Sequence, residues 1–138
     1  IMDFTKSIEL NPNFVFAYRD RANAKFKLKN YSNAKQDFEK VLEMDSTSFD
    51  ALFGLGAIYL YEAQNEESID VLKTKIDIAI KYFNKCIQIE PSNAESFCNR
   101  GIAYLKIDDF EKACKDLEKS ASLGFSRAIE LKKQFCSE

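Results

Sequence analysis

The strongest constraint on this chain is a pattern that repeats itself. In the stretch 94–123, Phe97, Gly101 and Tyr104 share one helical face, and after a break Phe110, Ala113 and Leu117 share another. Two amphipathic helices facing each other follow from that spacing, with Gly101 and Ala113 small enough to let the backbones approach closely. Tyr18, Ala22, Ala34 and Phe38 repeat the pattern upstream. Leu52, Gly56 and Tyr59 with Ala79, Phe83 and Cys86 repeat it again, and Phe49 opens its copy 34 residues after Val15. Stacked helical hairpins of this kind bury their apolar sides against neighbours and need no single central core.

Taken in order, residues 1–14 read as the second helix of a partial repeat, residues 15–48 as a full repeat, residues 49–93 as a repeat with an insertion, residues 94–125 as a further repeat and residues 126–138 as a capping helix. The chain is thus expected to open mid-repeat, with Ile1, Phe4 and Ile8 forming an apolar stripe for a further repeat or a second copy. Asn30 and Asp109 stand where helix N-caps belong, Ser92 and Glu95 have capping-box spacing, and Gly124 is placed to end a helix. Lys25 replaces the ring found at Tyr104 and should loosen the packing there, with Phe26 and the Lys stem covering part of the gap.

Gly56 to Ala79 is 23 steps, whereas Gly101 to Ala113 is 12, so the middle repeat carries 11 extra residues. Neither Gly nor Pro falls between Gly56 and Pro91, so the spacing predicts helix. The expected form is a second helix lengthened into an arm over 66–89, with Ile69, Leu72, Ile76, Ala79, Phe83 and Cys86 on one stripe. No Lys or Arg lies between Glu43 and Val71, so a basic partner fits the arm.

Composition narrows the function. With a net charge of −2 there is no basic footprint for nucleic acid or an anionic membrane, and neither partner is expected. The chain has no histidine, which removes the commonest general base and zinc ligand. Cys98 has no base beside it, and Asp108 and Asp109 are explained by a turn, so no catalytic residue, metal or cofactor is expected. Cys86, Cys98, Cys114 and Cys136 form no closely spaced pair and read as free thiols.

Arg100-Gly101-x-x-Tyr104 with Ala113, Leu55-Gly56-x-x-Tyr59, and Ile87-x-Ile89-Glu90-Pro91 make the chain resemble the tetratricopeptide repeat family over nearly its whole length. Departures are Lys25, Ser46 in place of Pro, Leu117 in place of a ring, and the insertion. The resemblance implies an all-α, right-handed α-solenoid with a C-terminal capping helix and a concave groove that binds a peptide or partner helix. Positions matching the groove lining are Phe16, Arg19, Asn23, Phe26 and Lys27; Asp50, Phe53, Ala57, Leu60 and Tyr61; and Glu95, Cys98, Asn99, Ile102 and Leu105. Asn23 and Asn99 stand out, because an amide both donates to and accepts from an extended backbone.

An interaction scaffold or adaptor without chemistry of its own is therefore expected. It should take a protein or peptide, work in the cytoplasm, and be able to self-associate through the N-terminal helix or the arm. The alternatives are an accessory domain of a larger enzyme or regulator, or a co-chaperone gripping the carboxylate tail of heat-shock chaperones. The positions that would hold that tail carry Arg19 and Asn23, then Gly54, then Glu95 and Asn99, and Glu95 would repel a carboxylate.

Overall fold

The computed structural model describes residues 2–11 and 14–136, with every side chain in that range except those of Met2, Asp3, Phe4 and Ser7. Among the described residues there are eight helices and no strand. The chain divides within its fourth helix into two compact units, one running to Ile58 and the other starting at Tyr59. No helix among the described residues is long and apolar enough to cross a membrane.

The first unit holds α1 (Met2–Leu10), α2 (Val15–Lys27), α3 (Tyr31–Met44) and the start of α4 (Phe49–Gln64). The expected stripe of Ile1 and Phe4 lies outside the described side chains; Ile8 is buried. Ala22 and Ala34 are fully buried where α2 and α3 meet, with Phe38 and Val41 beside them. Each large apolar side chain removed from water there contributes about 2 kcal/mol. At the elbow, the Phe26 ring meets Tyr31 edge-on at 5.4 Å. Gly54 has a packing role that its repeat position does not announce: a Cβ there would stand 2.4 Å from the Phe38 ring, so α4 can pass over α3 only without a side chain.

Lys25 does not loosen the core. Its Nζ lies 3.1 Å from Asp37 Oδ2, joining Arg21, which donates to the same carboxylate through Nε and Nη2 at 2.7 Å each. The position that lost its ring gained an ion pair.

In the second unit, α4 is followed by α5 (Ile69–Ile89), α6 (Ala94–Lys106), α7 (Phe110–Ser122) and α8 (Ser126–Phe135). A Cβ on Gly101 would meet Leu117 Cγ at 3.1 Å and the Ala113 carbonyl oxygen at 3.3 Å, which is the close approach the spacing predicts. Ser120 Oγ donates to the Ala94 carbonyl at 2.7 Å and ties the two ends of the hairpin.

The inserted residues form helix, distributed differently from the expectation. α4 has 16 residues against 13 in α6, and α5 has 21 against 13 in α7, so both arms of the hairpin grow. The second helix starts at Ile69 rather than at residue 66, because Ser68 caps it by accepting from Val71 N. The extra length of α4 gives α5 something to pack on. Tyr59 stacks on Tyr82 at 6.0 Å, Ala63 and Ile76 are fully buried, and Lys75 Nζ lies 3.4 Å from Glu66 and 3.8 Å from Glu62. Only the tip is uncovered, with Ile69 68% exposed.

Helix ends bring further corrections. Asp109 caps α7 by accepting from Lys112 N at 3.3 Å, as expected. Asn30 stands at the N-cap of α3 but accepts from the Asn33 side chain instead of a backbone amide. The cap of α6 is Asn93, not Ser92: its Oδ1 accepts from Ser96 N and Ser96 Oγ, both at 2.8 Å. Gly124, with φ of 89°, follows Leu123, the C-cap of α7; its amide donates to Ala121 O and the Phe125 amide to Ser120 O, closing a Schellman motif. Cys114 and Cys136 are not free thiols: they form a disulfide joining α7 to the end of α8, with Cα atoms 5.8 Å apart. Distance in sequence hid a pair that the α7–α8 turn brings together.

Candidate functional site

Each repeat of such a chain offers the outer face of its first helix, so the exposed side chains of α2, α4 and α6 come first. In the first unit, Phe16 is 53% exposed, with Phe14 edge-on to it at 5.9 Å and the Arg19 guanidinium above its ring at 5.0 Å. Arg19 Nη2 donates to Asp20 Oδ1 at 3.1 Å, and its Nε lies 3.8 Å from Asp50 Oδ2. Phe53 stacks on Phe49 at 5.8 Å. Asn23 and Ala57 are half-buried, while Lys27 and Asp50 are exposed. The first unit therefore presents two pairs of rings, a half-buried amide and a cation already held between carboxylates. Such a surface suits an extended chain with apolar side chains.

In the second unit, Tyr61 and Glu95 are exposed and Asn99 is half-buried. Three of the expected lining residues do not serve as expected. Cys98 has no exposed surface, and Leu60 and Ile102 show only 7% each, because neighbouring helices cover most of that face of α4 and α6. Burial pushes the Cys98 thiol up, with the positive charge of Arg127 on α8 opposing that shift. Cys98 thus belongs to the core, a position no ligand reaches.

Ile102 does reach a cleft of about 430 Å³, with its neighbours Leu105 and Lys106 on α6, Gln64 on α4, and Arg127, Leu131, Gln134 and Phe135 on α8. Four of its lining side chains are apolar and four are polar. The ionisable residues lining it, Lys106 and Arg127, are both cationic, so a bound carboxylate would be favoured over an ammonium. Leu131 and Phe135 line it from the last helix, with Phe135 still 43% exposed. Treated only as a lid, that helix gives no hint that it also walls a cleft; Arg127, at its first turn, was the available signal.

Residues 17–48 and residues 82–115 each match a family model described as tetratricopeptide repeat. Anaphase-promoting complex subunit 3 of Schizosaccharomyces pombe is 26% identical over 130 residues, covering 89% of this chain and 18% of that protein. RNA polymerase II-associated protein 3 of Xenopus laevis is 32% identical over 116 residues, covering 80% of this chain and 18% of that protein. The chain thus spans about a fifth of the length of these relatives. Among solved structures, the first TPR of Spaghetti (RPAP3) bound to the HSP90 peptide SRMEEVD superposes with a TM-score of 0.74 and 18% identity, covering 88% of this chain and 89% of that one; at that identity the likeness concerns the fold.

Proposed function

The chain belongs to the tetratricopeptide repeat family, a family of protein-interaction scaffolds, and on that premise we propose that it holds an extended peptide on the outer faces of its first helices. The observation that supports this best is the cleft between α6 and α8, whose lining joins apolar side chains to the cationic Lys106 and Arg127. It suits a segment with apolar anchors and an acidic end. In the second unit the half-buried Asn99 is assigned to the peptide backbone; in the first, the half-buried Asn23 and the rings of Phe16 and Phe53 are assigned the same roles toward a peptide held by that unit. The chain works as an adaptor in the cytoplasm, without catalysis of its own.

The test is a selection from a displayed peptide library followed by calorimetric titration. Asn23→Ala and Asn99→Ala should each weaken the selected peptide by about 1–3 kcal/mol through lost hydrogen bonds. Unchanged affinity in both variants would remove the first-helix assignment.

A second reading, a co-chaperone holding a chaperone tail, is favoured by one observation. The Spaghetti domain of the same fold is bound to a peptide ending in acidic residues, and Lys106 and Arg127 supply cations in the cleft here. Glu95, exposed on α6, opposes it. Titration with SRMEEVD decides, since tail binding requires affinity that is lost on amidation of its C-terminal carboxylate.

The tip of the α4–α5 hairpin is proposed as a second contact surface, for a basic partner or another copy, because Ile69 and Val71 are exposed beside Glu67 and Asp70. Sedimentation showing only monomer at high concentration would exclude the copy.

A further inference from the structure

The helix that walls the cleft packs against α7. Of the α8 side chains only Ala128 is fully buried; Ile129 and Phe135 are largely exposed, and ten residues make a marginal helix in water. Its N-terminal end is anchored by the Schellman turn at Gly124. Its C-terminal end is anchored by Cys136, bonded to Cys114 on α7. Gln134 and Phe135, which line the cleft, are the two residues immediately before that bond. The end of α8 beyond Leu131 is thus tied to α7 by the disulfide.

We propose that thiol–disulfide exchange at Cys114–Cys136 switches the α6–α8 cleft between a formed state and an open one. The inference rests on the reading that this cleft holds peptide. A second recess, of about 280 Å³ and lined by Ala121, Ile129, Lys132, Lys133 and Cys136, gives a reductant a path to the Cys136 sulfur. Lys132 and Lys133 line the same recess as Cys136 and bring positive charge to it, which favours an incoming thiolate. In a reducing compartment such a bond is a redox sensor rather than a permanent staple.

The reductant is a dithiol. Its thiolate attacks Cys136 Sγ, the Sγ–Sγ bond breaks, and Cys114 leaves as a thiolate that takes a proton. The second thiol of the reductant then attacks the mixed disulfide and releases Cys136, also protonated. Two electrons pass to the protein, and the dithiol ends as its own cyclic disulfide. Cys86 and Cys98, both fully buried, stay out of the exchange.

Hydrogen exchange on the full chain tests the switch, comparing the oxidised protein with the same protein in dithiothreitol and with Cys136→Ser. Amides of residues 131–136 should exchange at least about tenfold faster in both altered samples, with the α6–α7 hairpin unchanged. Equal rates in α8 across all three overturn the proposal. The library-selected peptide is titrated into the oxidised and reduced forms, and about tenfold weaker binding to the reduced form is expected. Faster exchange in α8 with equal affinity overturns the gating. A peptide that binds neither form counts against the proposed function, and the exchange comparison still decides the switch.

Discussion

Arg100 and Asp116 meet across α6 and α7 as a two-point pair, Nε donating to Oδ2 at 2.8 Å and Nη2 to Oδ1 at 2.7 Å. Arg21 and Asp37 make the same pair 79 residues earlier, also across 16 residues of sequence. In both places the guanidinium also lies over a ring on its own helix, Phe97 or Tyr18. The hydrogen bonds they donate to the carboxylates hold both arginines above their ordinary pKa. The middle repeat carries no charge at these positions. The corresponding positions, 45 before Arg100 and 34 before Asp116, are Leu55, fully buried, and Tyr82, stacked on Tyr59.

Because Asp116 is nearly buried, removing its partner should be worse than removing both. Arg100→Leu leaves an unpaired carboxylate and should cost about 3 kcal/mol, whereas Arg100→Leu with Asp116→Tyr, copying the middle repeat, should recover most of that loss. Urea unfolding of the two variants measures this; an equal loss in both would mean that the pair itself carries the stability.

Gly54→Ala should destabilise the first unit by about 1–3 kcal/mol, since its Cβ would overlap the Phe38 ring. Phe38→Leu in the same chain should restore part of it. A Gly54→Ala protein as stable as the parent would show that α3 and α4 yield freely there.

Lys29 closes α2 in the left-handed region, with φ of 63°, where its Cβ is strained. Lys29→Gly should raise stability by about 0.5–1 kcal/mol; Asp108→Gly, at φ of 59°, should gain less because Asp tolerates that conformation. Thermal melts of the two variants give the comparison.

Burial pushes the Cys86 thiol from 9.0 up to about 12, with Glu90 adding to the shift. A group whose pKa is raised on folding contributes stability fully below its unfolded value and loses it as pH rises through the folded one. Stability should therefore fall between pH 9 and about 12, and the fall should be shallower in Cys86→Ala. Urea midpoints of both proteins across that range provide the check; parallel curves would remove Cys86 as the cause.

Much of the architecture was legible because the hairpin pattern is local: Gly101 against Leu117, the ring of Tyr31 at its elbow and the cap at Asp109 all follow from spacing. What stayed hidden depends on neighbours. Gly54 matters only because Phe38 arrives from another helix. The Cys114–Cys136 bond depends on how α8 folds back on α7. The insertion was readable as helix, but its division between α4 and α5 depended on the Ser68 cap. For the candidate site, residue positions on a helix face were legible while exposure was not, so Cys98 was placed on a surface and Arg127 was left out.

The claim that peptide is held on the first-helix faces is tested most directly by amide and side-chain chemical-shift mapping during titration of the library-selected peptide. Perturbations in the second unit should centre on Asn99, Ile102, Leu131 and Phe135, with α7 largely silent. Perturbations confined to the second helices, with Asn99 and the α8 residues unmoved, would contradict it.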